Sequence, residues 1–419
     1  MVESATARPT QDRYDAVIAG GGPAGAAAAT VLAQRGHRVL LVERTAGPTF
    51  KIGESLMPVT YWTLQRLGVL AAMKASRFPK KYSVQFYTRE GRPTMPFYFH
   101  ETDPHESSQT WQVLRSEFDQ LLLDNAAEHG VEVCRGLGVK NVLFDDADHV
   151  RGLALDQGHE VATRAFVDAT GQNALLARRL GLMSIEPHLR NASFFTHFEG
   201  AVRDPGKDEG ATLVLHTEEA RSWFWYIPLP DNRVSVGVVG PVDYLVTGRK
   251  GTPQEIFEQE LARCPALQPR IADACQVFPM KALRDFSYKA TRSAGDGWVL
   301  AGDALGFIDP IYSSGVFLAL QSGEWVGDAV AEGLEAGDLS AARLSEPGTR
   351  LIEGVEAMRR LVYAFYDPDF SFSMFLKQFP EVRGELIDML VGNVFRKPIH
   401  NVLAALSEAT DRVPEAWAS

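Results

Sequence analysis

The sequence predicts an α/β fold in which a Rossmann-like parallel sheet is interleaved with a β-rich region and followed by a helical C-terminal stretch. Three observations carry this. Residues 14–43, YDAVIAGGGPAGAAAATVLAQRGHRVLLVE, pass from an apolar run through a glycine turn into an Ala-rich helical stretch and out into a second apolar run, the texture of a βαβ unit. Between about 185 and 285, segments such as SFFTHFEGAV and RVSVGVVG read as antiparallel strands. From about 340 onward the pattern is helical and rich in aromatic residues and Met.

Bulk properties narrow the class. The chain has 419 residues, 45% hydrophobic and 23% charged, which places it among soluble globular proteins. A net charge of −11 and the lack of any dense Lys/Arg run argue against nucleic acid as a partner. Cys134, Cys264 and Cys275 are widely spaced with no CxxC, so no disulfide framework or metal site is expected, and the thiols read as buried and inert. No apolar stretch is long enough to span a bilayer. The opening MVESATARPTQDRY lacks a basic region followed by an apolar run, so it reads as a disordered leader, and a cytoplasmic protein is expected.

Along the chain, residues 12–80, 108–185 and 286–338 are assigned to one discontinuous domain, 81–107 and 186–285 to a β-rich substrate domain, and 339–419 to a helical region. Residues 116–129 predict a helix with Ser116 as N-cap and Gly130 as its stop, followed by a strand in VEVCRG. GVFLALQSGEWVGDAVAEGL predicts a long helix opening on Gly315. In the last region, a Met/Phe stripe at helical spacing is core in most proteins and a substrate-pocket wall in some.

Gly20-Gly21-Gly22-Pro23-Ala24-Gly25 holds G-x-G-x-x-G directly after a predicted strand and at the start of a helix. Gly20 makes the turn, Gly22 lets the backbone approach a pyrophosphate, and Gly25 allows close helix-on-strand packing. The helix N-terminus offers free N–H groups to anionic oxygens. Glu43 ends the second strand, where a carboxylate accepts from ribose hydroxyls, which favours FAD or NAD over a 2′-phosphorylated cofactor.

Three further segments resemble those of the FAD-dependent aromatic hydroxylase and halogenase superfamily: Arg115-Ser116-Glu117-Phe118-Asp119, Asp168-Ala169-Thr170-Gly171, and Gly302-Asp303-Ala304 with Asp309-Pro310. The resemblance implies FAD bound through Gly20, Gly22, Ala24, Gly25 and Glu43. Arg115 would meet the pyrophosphate and Asp303 the ribityl chain, with Pro310, Gly315 and Val316 at the flavin edge.

Trp223, Trp225, Ile227 and Pro228 form W-x-W-x-I-P, with both Trp and the Ile on one face of a strand. By period alone this is an aromatic core strand; the full pattern resembles the hallmark of flavin-dependent halogenases. Phe78 to Phe86 resembles the F-x-x-K-x-G-A-x-F segment that carries that family's essential lysine, and the match falls on Lys81, with Ser83 and Val84 in place of Gly and Ala. Without the resemblance, Lys80 and Lys81 read as two solvated lysines. Asp309 to Val316 resembles the halide-binding turn, which implies chloride or bromide at Ser314 and Gly315. Tryptophan halogenases carry Glu where Tyr312 stands, whereas pyrrole and phenol halogenases generally carry an aromatic residue. Phe50 to Leu56 resembles a G-E-S segment close to the cofactor and places Ser55 there.

The resemblance is nearest to halogenases of carrier-tethered pyrrole. It implies FAD supplied as FADH2 by a separate flavin reductase, O2 and halide as co-substrates, and a pyrrole or phenol that Lys81 halogenates with hypohalous acid. The lysine would act as nucleophile or as hydrogen-bond donor. No residue is assigned as base. A single-component FAD/NAD(P)H aromatic hydroxylase or related reductase, and a catalytically silent flavoprotein, share the cofactor signature.

Overall fold

The computed structural model describes residues 8–47 and 49–410. Part of the predicted leader and the last nine residues of the predicted helical region lie outside the described residues.

The βαβ unit forms as read. Strand β1 (Arg13–Ala19) leads through the glycine turn into helix α1 (Pro23–Gln34) and strand β2 (Val39–Glu43). β1 is central to an eight-stranded sheet and pairs in parallel with β2 and with Glu160–Asp168. Glu132–Arg135 extends the parallel set beyond β2, and Trp298–Leu300 extends it beyond Glu160–Asp168. Such strands are buried on both faces, which accounts for the unbroken apolar run VLLV.

The alanines of α1 serve close packing. A Cβ at Gly323 of the helix Ser314–Ala336 would stand 2.2 Å from the Ala24 carbonyl oxygen, and one at Gly327 would stand 2.8 Å from Val31 Cβ. Small residues on both helices let the long helix lie against α1, and this fixes where its N-terminus points.

The second eight-stranded sheet draws its strands from Ser83–Tyr87, Phe97–Tyr98 and the segments between 191 and 284. Trp223–Leu229 lies between Thr212–His216 and Arg233–Pro241, antiparallel to both. Thr212–His216 pairs in parallel with Ser83–Tyr87, Thr212 opposite Val84, and this carries Thr212 to the segment that holds Lys81.

Three local readings are corrected. The helix of residues 115–128 starts at Arg115 rather than after a Ser116 cap, because Leu114 supplies the extended backbone at φ −72°, ψ 113°. The long helix begins at Ser314, one residue before Gly315. Cys134 and Cys264 are buried, but Cys275 is exposed on a two-residue edge strand. Among the described residues no helix is long and apolar enough to cross a membrane, and no group of three His, Cys, Asp or Glu could hold a metal ion.

Candidate functional site

A cavity of about 740 Å³ opens at the carboxyl ends of the parallel strands, where doubly wound sheets bind ligands. It runs from the glycine turn to the wall of the second sheet. Gly20, Gly22, Ala24, Glu43, Ser55 and Arg115 line it, and so do Asp303, Pro310, Gly315 and Val316. Trp223, Trp225 and Ile227 line its far end. Of the residues given a cofactor, halide, motif or catalytic role from the sequence, Gly25, Pro228, Ser314 and Lys81 are not on its surface.

The glycine turn divides its labour as the motif implies. Gly20 has φ +107°, and a Cβ there would lie 2.2 Å from the Ala169 carbonyl oxygen. A Cβ at Gly25 would fall 1.9 Å from the Gly20 carbonyl oxygen, so this position serves packing rather than ligand contact. A Cβ at Gly22 would meet no protein atom within 4 Å. That leaves a bare backbone at the N-terminus of α1, on the cavity wall, which fits a cofactor pyrophosphate.

The charged residues at this end also fit a dinucleotide. Glu43 is desolvated, which raises its carboxyl; hydrogen bonds from the Thr45 hydroxyl and N–H and the Gly21 N–H outweigh this and keep it low. It therefore faces the cavity as an anion able to accept from ribose hydroxyls. Arg115 is buried, held by Asp119 at 2.8 and 3.1 Å, and donates to the Ile52 carbonyl at 2.5 Å. Burial pushes the Asp303 carboxyl up to about 6 although Arg115 pulls the other way.

At the opposite side of the turn, Ser313 has φ +59°, a left-handed backbone in a non-glycine residue, and lines the cavity. Ser313 is the N-cap of the helix Ser314–Ala336, whose first-turn N–H groups lack intrahelical acceptors, and the helix enters the cavity wall at Gly315 and Val316. Of the two residues read as a halide turn, Gly315 lines the cavity and the Ser314 side chain is buried behind it.

Lys81 is not solvated. It is 3% exposed, and its Nζ donates to Ser55 Oγ at 2.9 Å and to the Leu56 carbonyl at 3.2 Å. Desolvation pushes its ammonium down to about 7. Its neighbour Lys80 is exposed. The two-residue strand Lys80–Lys81 pairs with Thr110–Trp111 and sets their side chains on opposite faces.

The Trp wall is pinned from behind. A Cβ at Gly237 would stand 2.2 Å from the Trp225 ring, so this glycine opposite Trp225 lets the indole lie across the sheet. Trp225 Nε1 donates to Ser235 Oγ at 3.1 Å and Trp223 Nε1 to the Tyr366 hydroxyl at 3.0 Å. The Met/Phe stripe is core only in part: Met358 and Phe375 are buried and Phe365 packs edge-on to Trp223 and Tyr312, at 5.7 and 6.4 Å between ring centroids, whereas Met374 is 68% exposed.

The sequence reading missed several participants. Thr212 and Gln112 join Ser55 beside Lys81, and Glu54 accepts from His197 Nε2 at 2.7 Å with both residues 2% exposed. Glu54 lines the cavity, and its place in the G-E-S segment was the one available signal; nothing local marks Thr212, Gln112 or His197.

The fold and this cavity define an FAD-binding protein, and residues 13–343 match the FAD binding domain family. The chain is 32% identical over 391 residues to the 1H-pyrrole-2-carbonyl-(peptidyl-carrier protein) brominase of Pseudoalteromonas luteoviolacea, covering 91% of this chain and 92% of that one. It is 29% identical over 417 residues to the corresponding chlorinase of Pseudomonas fluorescens, covering 94% and 92%. Among solved structures, the flavin-dependent brominase Bmp2 superposes with a TM-score of 0.83 at 30% identity, over 94% of this chain and 98% of that one. The myxobacterial chondrochloren halogenase CndH superposes with a TM-score of 0.78 at 30% identity, over 95% and 97%. The chain belongs to the flavin-dependent halogenases and is an FAD-dependent enzyme.

Proposed function

We propose that this halogenase takes FADH2 from a separate flavin reductase and uses O2 with chloride or bromide to make hypohalous acid. Lys81 then directs the halogen onto a pyrrole held on a carrier protein, or onto a phenol. The observation that carries this reading is the placement of Lys81: a buried, desolvated amine one hydroxyl away from a cavity shaped for FAD. The chemistry supplied by bound reduced FAD is the activation of O2.

The residues of this chain account for the rest. Arg115, Glu43, Asp303 and the Gly22 backbone would hold the cofactor. The first-turn N–H groups at Ser314 and Gly315 would hold the halide. Trp223, Trp225 and Ile227 form an apolar wall that keeps an organic acceptor away from the cofactor side, so the oxidant meets halide first. Lys81 then acts as amine nucleophile or as donor to the oxygen of hypohalous acid. The pyrrole acceptor is supported by the brominase and chlorinase relatives and by the aromatic Tyr312. We propose likewise that the chain divides at the boundaries read from its sequence, a division supported by the two sheets drawing on separate sets of segments.

The test supplies purified protein with FAD, a flavin reductase, NADH, bromide or chloride, and pyrrole-2-carboxyl groups free and carrier-tethered, with phenols alongside. Halogenated product that requires both halide and reductase is expected. Hydroxylated product independent of halide, or rapid NAD(P)H oxidation without reductase, contradicts the reading.

A further inference from the structure

Lys81 does not line the cavity, but the Ser55 hydroxyl that touches it does, and so does the Thr212 hydroxyl next to Ser55. Ser55 Oγ lies 2.9 Å from Lys81 Nζ and 2.9 Å from Thr212 Oγ1, and both Ser55 and Thr212 line the cavity. The direction of these bonds can be counted. Lys81 Nζ donates to Ser55 Oγ, and Gln112 Nε2 donates to Thr212 Oγ1 at 2.8 Å and to the Gly210 carbonyl at 2.9 Å. Thr212 thus accepts from behind, and its own proton is available for Ser55. With Thr212 as the donor in that bond, Ser55 accepts twice and its own O–H is free for a group in the cavity. The arrangement is held by backbone: Ser55 pairs with Gln112 in an antiparallel bridge, and Gly210 approaches Lys80 so closely that a Cβ would stand 2.1 Å from the Lys80 carbonyl oxygen.

We propose that Ser55, backed by Thr212 and Gln112, is the proton relay between Lys81 and the cavity. The proposal rests on Lys81 as the halogen-transferring residue. In either form of that chemistry the X–O bond of hypohalous acid breaks with its electron pair on oxygen, and that oxygen needs one proton to leave as water. If the amine attacks, an Nζ–X bond forms, Nζ loses a proton, and the products are a haloamine and water. If the ammonium form assists direct attack by the ring, a C–X bond forms, Nζ gives up a proton to make water, and the ring later returns its own proton to the amine. In both, Nζ passes its proton to Ser55 Oγ while Ser55 passes its own to the leaving oxygen.

Ser55→Ala, Ser55→Thr, Thr212→Val and Lys81→Ala test this. Each is assayed with FAD, flavin reductase, NADH, bromide and carrier-tethered pyrrole-2-carboxylate. In the cofactor-free protein, the pH midpoint of Lys81 acetylation by acetic anhydride is followed by peptide mass spectrometry. With FAD saturating, Ser55→Ala is expected to lose product by at least about 100-fold, and Ser55→Thr to return to within about tenfold of the native chain. Thr212→Val, which leaves Ser55 in place, is expected to lie between them. The Lys81 midpoint should fall in Ser55→Ala, since the ammonium loses an acceptor, and recover in Ser55→Thr.

Native-level product from Ser55→Ala while Lys81→Ala is inactive would overturn the relay and leave the lysine reading standing. So would a Ser55→Thr variant as inactive as Ser55→Ala, or a Lys81 midpoint that does not move. Native-level product from Lys81→Ala overturns the lysine reading itself.

Discussion

The indole N–H of Trp223 donates to the Tyr366 hydroxyl at 3.0 Å, and that hydroxyl donates in turn to Asp309 Oδ2 at 3.0 Å. Three parts of the fold meet in this chain of two bonds: the Trp wall, the helix Glu346–Tyr366, and the loop that leads into the long helix at the cavity. Asp309 also accepts from Asn191 Nδ2 at 3.1 Å and from the Ile311 N–H at 3.0 Å. Burial still pushes its carboxyl up to about 7.

Tyr366→Phe removes both bonds and leaves Trp223 Nε1 buried without an acceptor. It is expected to destabilise the protein by about 1–3 kcal/mol, read from denaturant unfolding. A Trp223→Phe change in the same background should then add less than it does alone, because the indole has already lost its partner. Additive effects would show that the two residues are not coupled.

The glycine turn gives a contrast between two positions three residues apart. Gly22→Val adds a side chain where a Cβ meets no protein atom within 4 Å, so the melting temperature should change little while FAD affinity, measured by flavin fluorescence, is lost. Gly25→Ala forces a methyl to 1.9 Å from the Gly20 carbonyl oxygen and should destabilise the fold by several kcal/mol whether or not FAD is present. Equal effects on stability would contradict the division of roles.

Lys81 makes stability depend on pH in a fixed direction. Its ammonium is pushed down from 10.5 to about 7 on folding. Above the unfolded value both states are neutral and the charge carries no penalty. As pH falls the unfolded chain takes up the proton first, and the penalty grows until the folded value is passed, reaching at most about 5 kcal/mol. Lys81→Met should therefore stabilise the protein more at about pH 6 than at about pH 10. A gain independent of pH would mean that Lys81 keeps its charge in the fold.

What could be read from the sequence was what is local in it. The glycine turn and Glu43 at the end of its strand lie within one βαβ unit, so spacing was enough to place Gly20, Gly22 and Glu43 on the cavity, whereas W-x-W-x-I-P read by period as a core strand and only the resemblance gave it a site role. Lys81 was placed by a resemblance, and the pattern could not say that it stands behind Ser55 rather than on the cavity surface. Ser55 meets Thr212 across 157 residues and Glu54 meets His197 across 143, contacts set by sheet pairing that leave no local trace. Ser116 resembles a cap because a suitable residue type stands two positions too late, while Leu114 supplies the backbone geometry.

Halogen transfer by Lys81 is the step on which the proposed function depends. Native, Lys80→Ala and Lys81→Ala proteins, each with FAD, flavin reductase, NADH, bromide and carrier-tethered pyrrole-2-carboxylate, are compared for brominated product, with FAD affinity and released hydrogen peroxide measured in the same samples. The account predicts that Lys81→Ala binds FAD and releases peroxide but loses product by at least about 100-fold, and that Lys80→Ala behaves as the native chain. Product formed by Lys81→Ala at the native rate would contradict it.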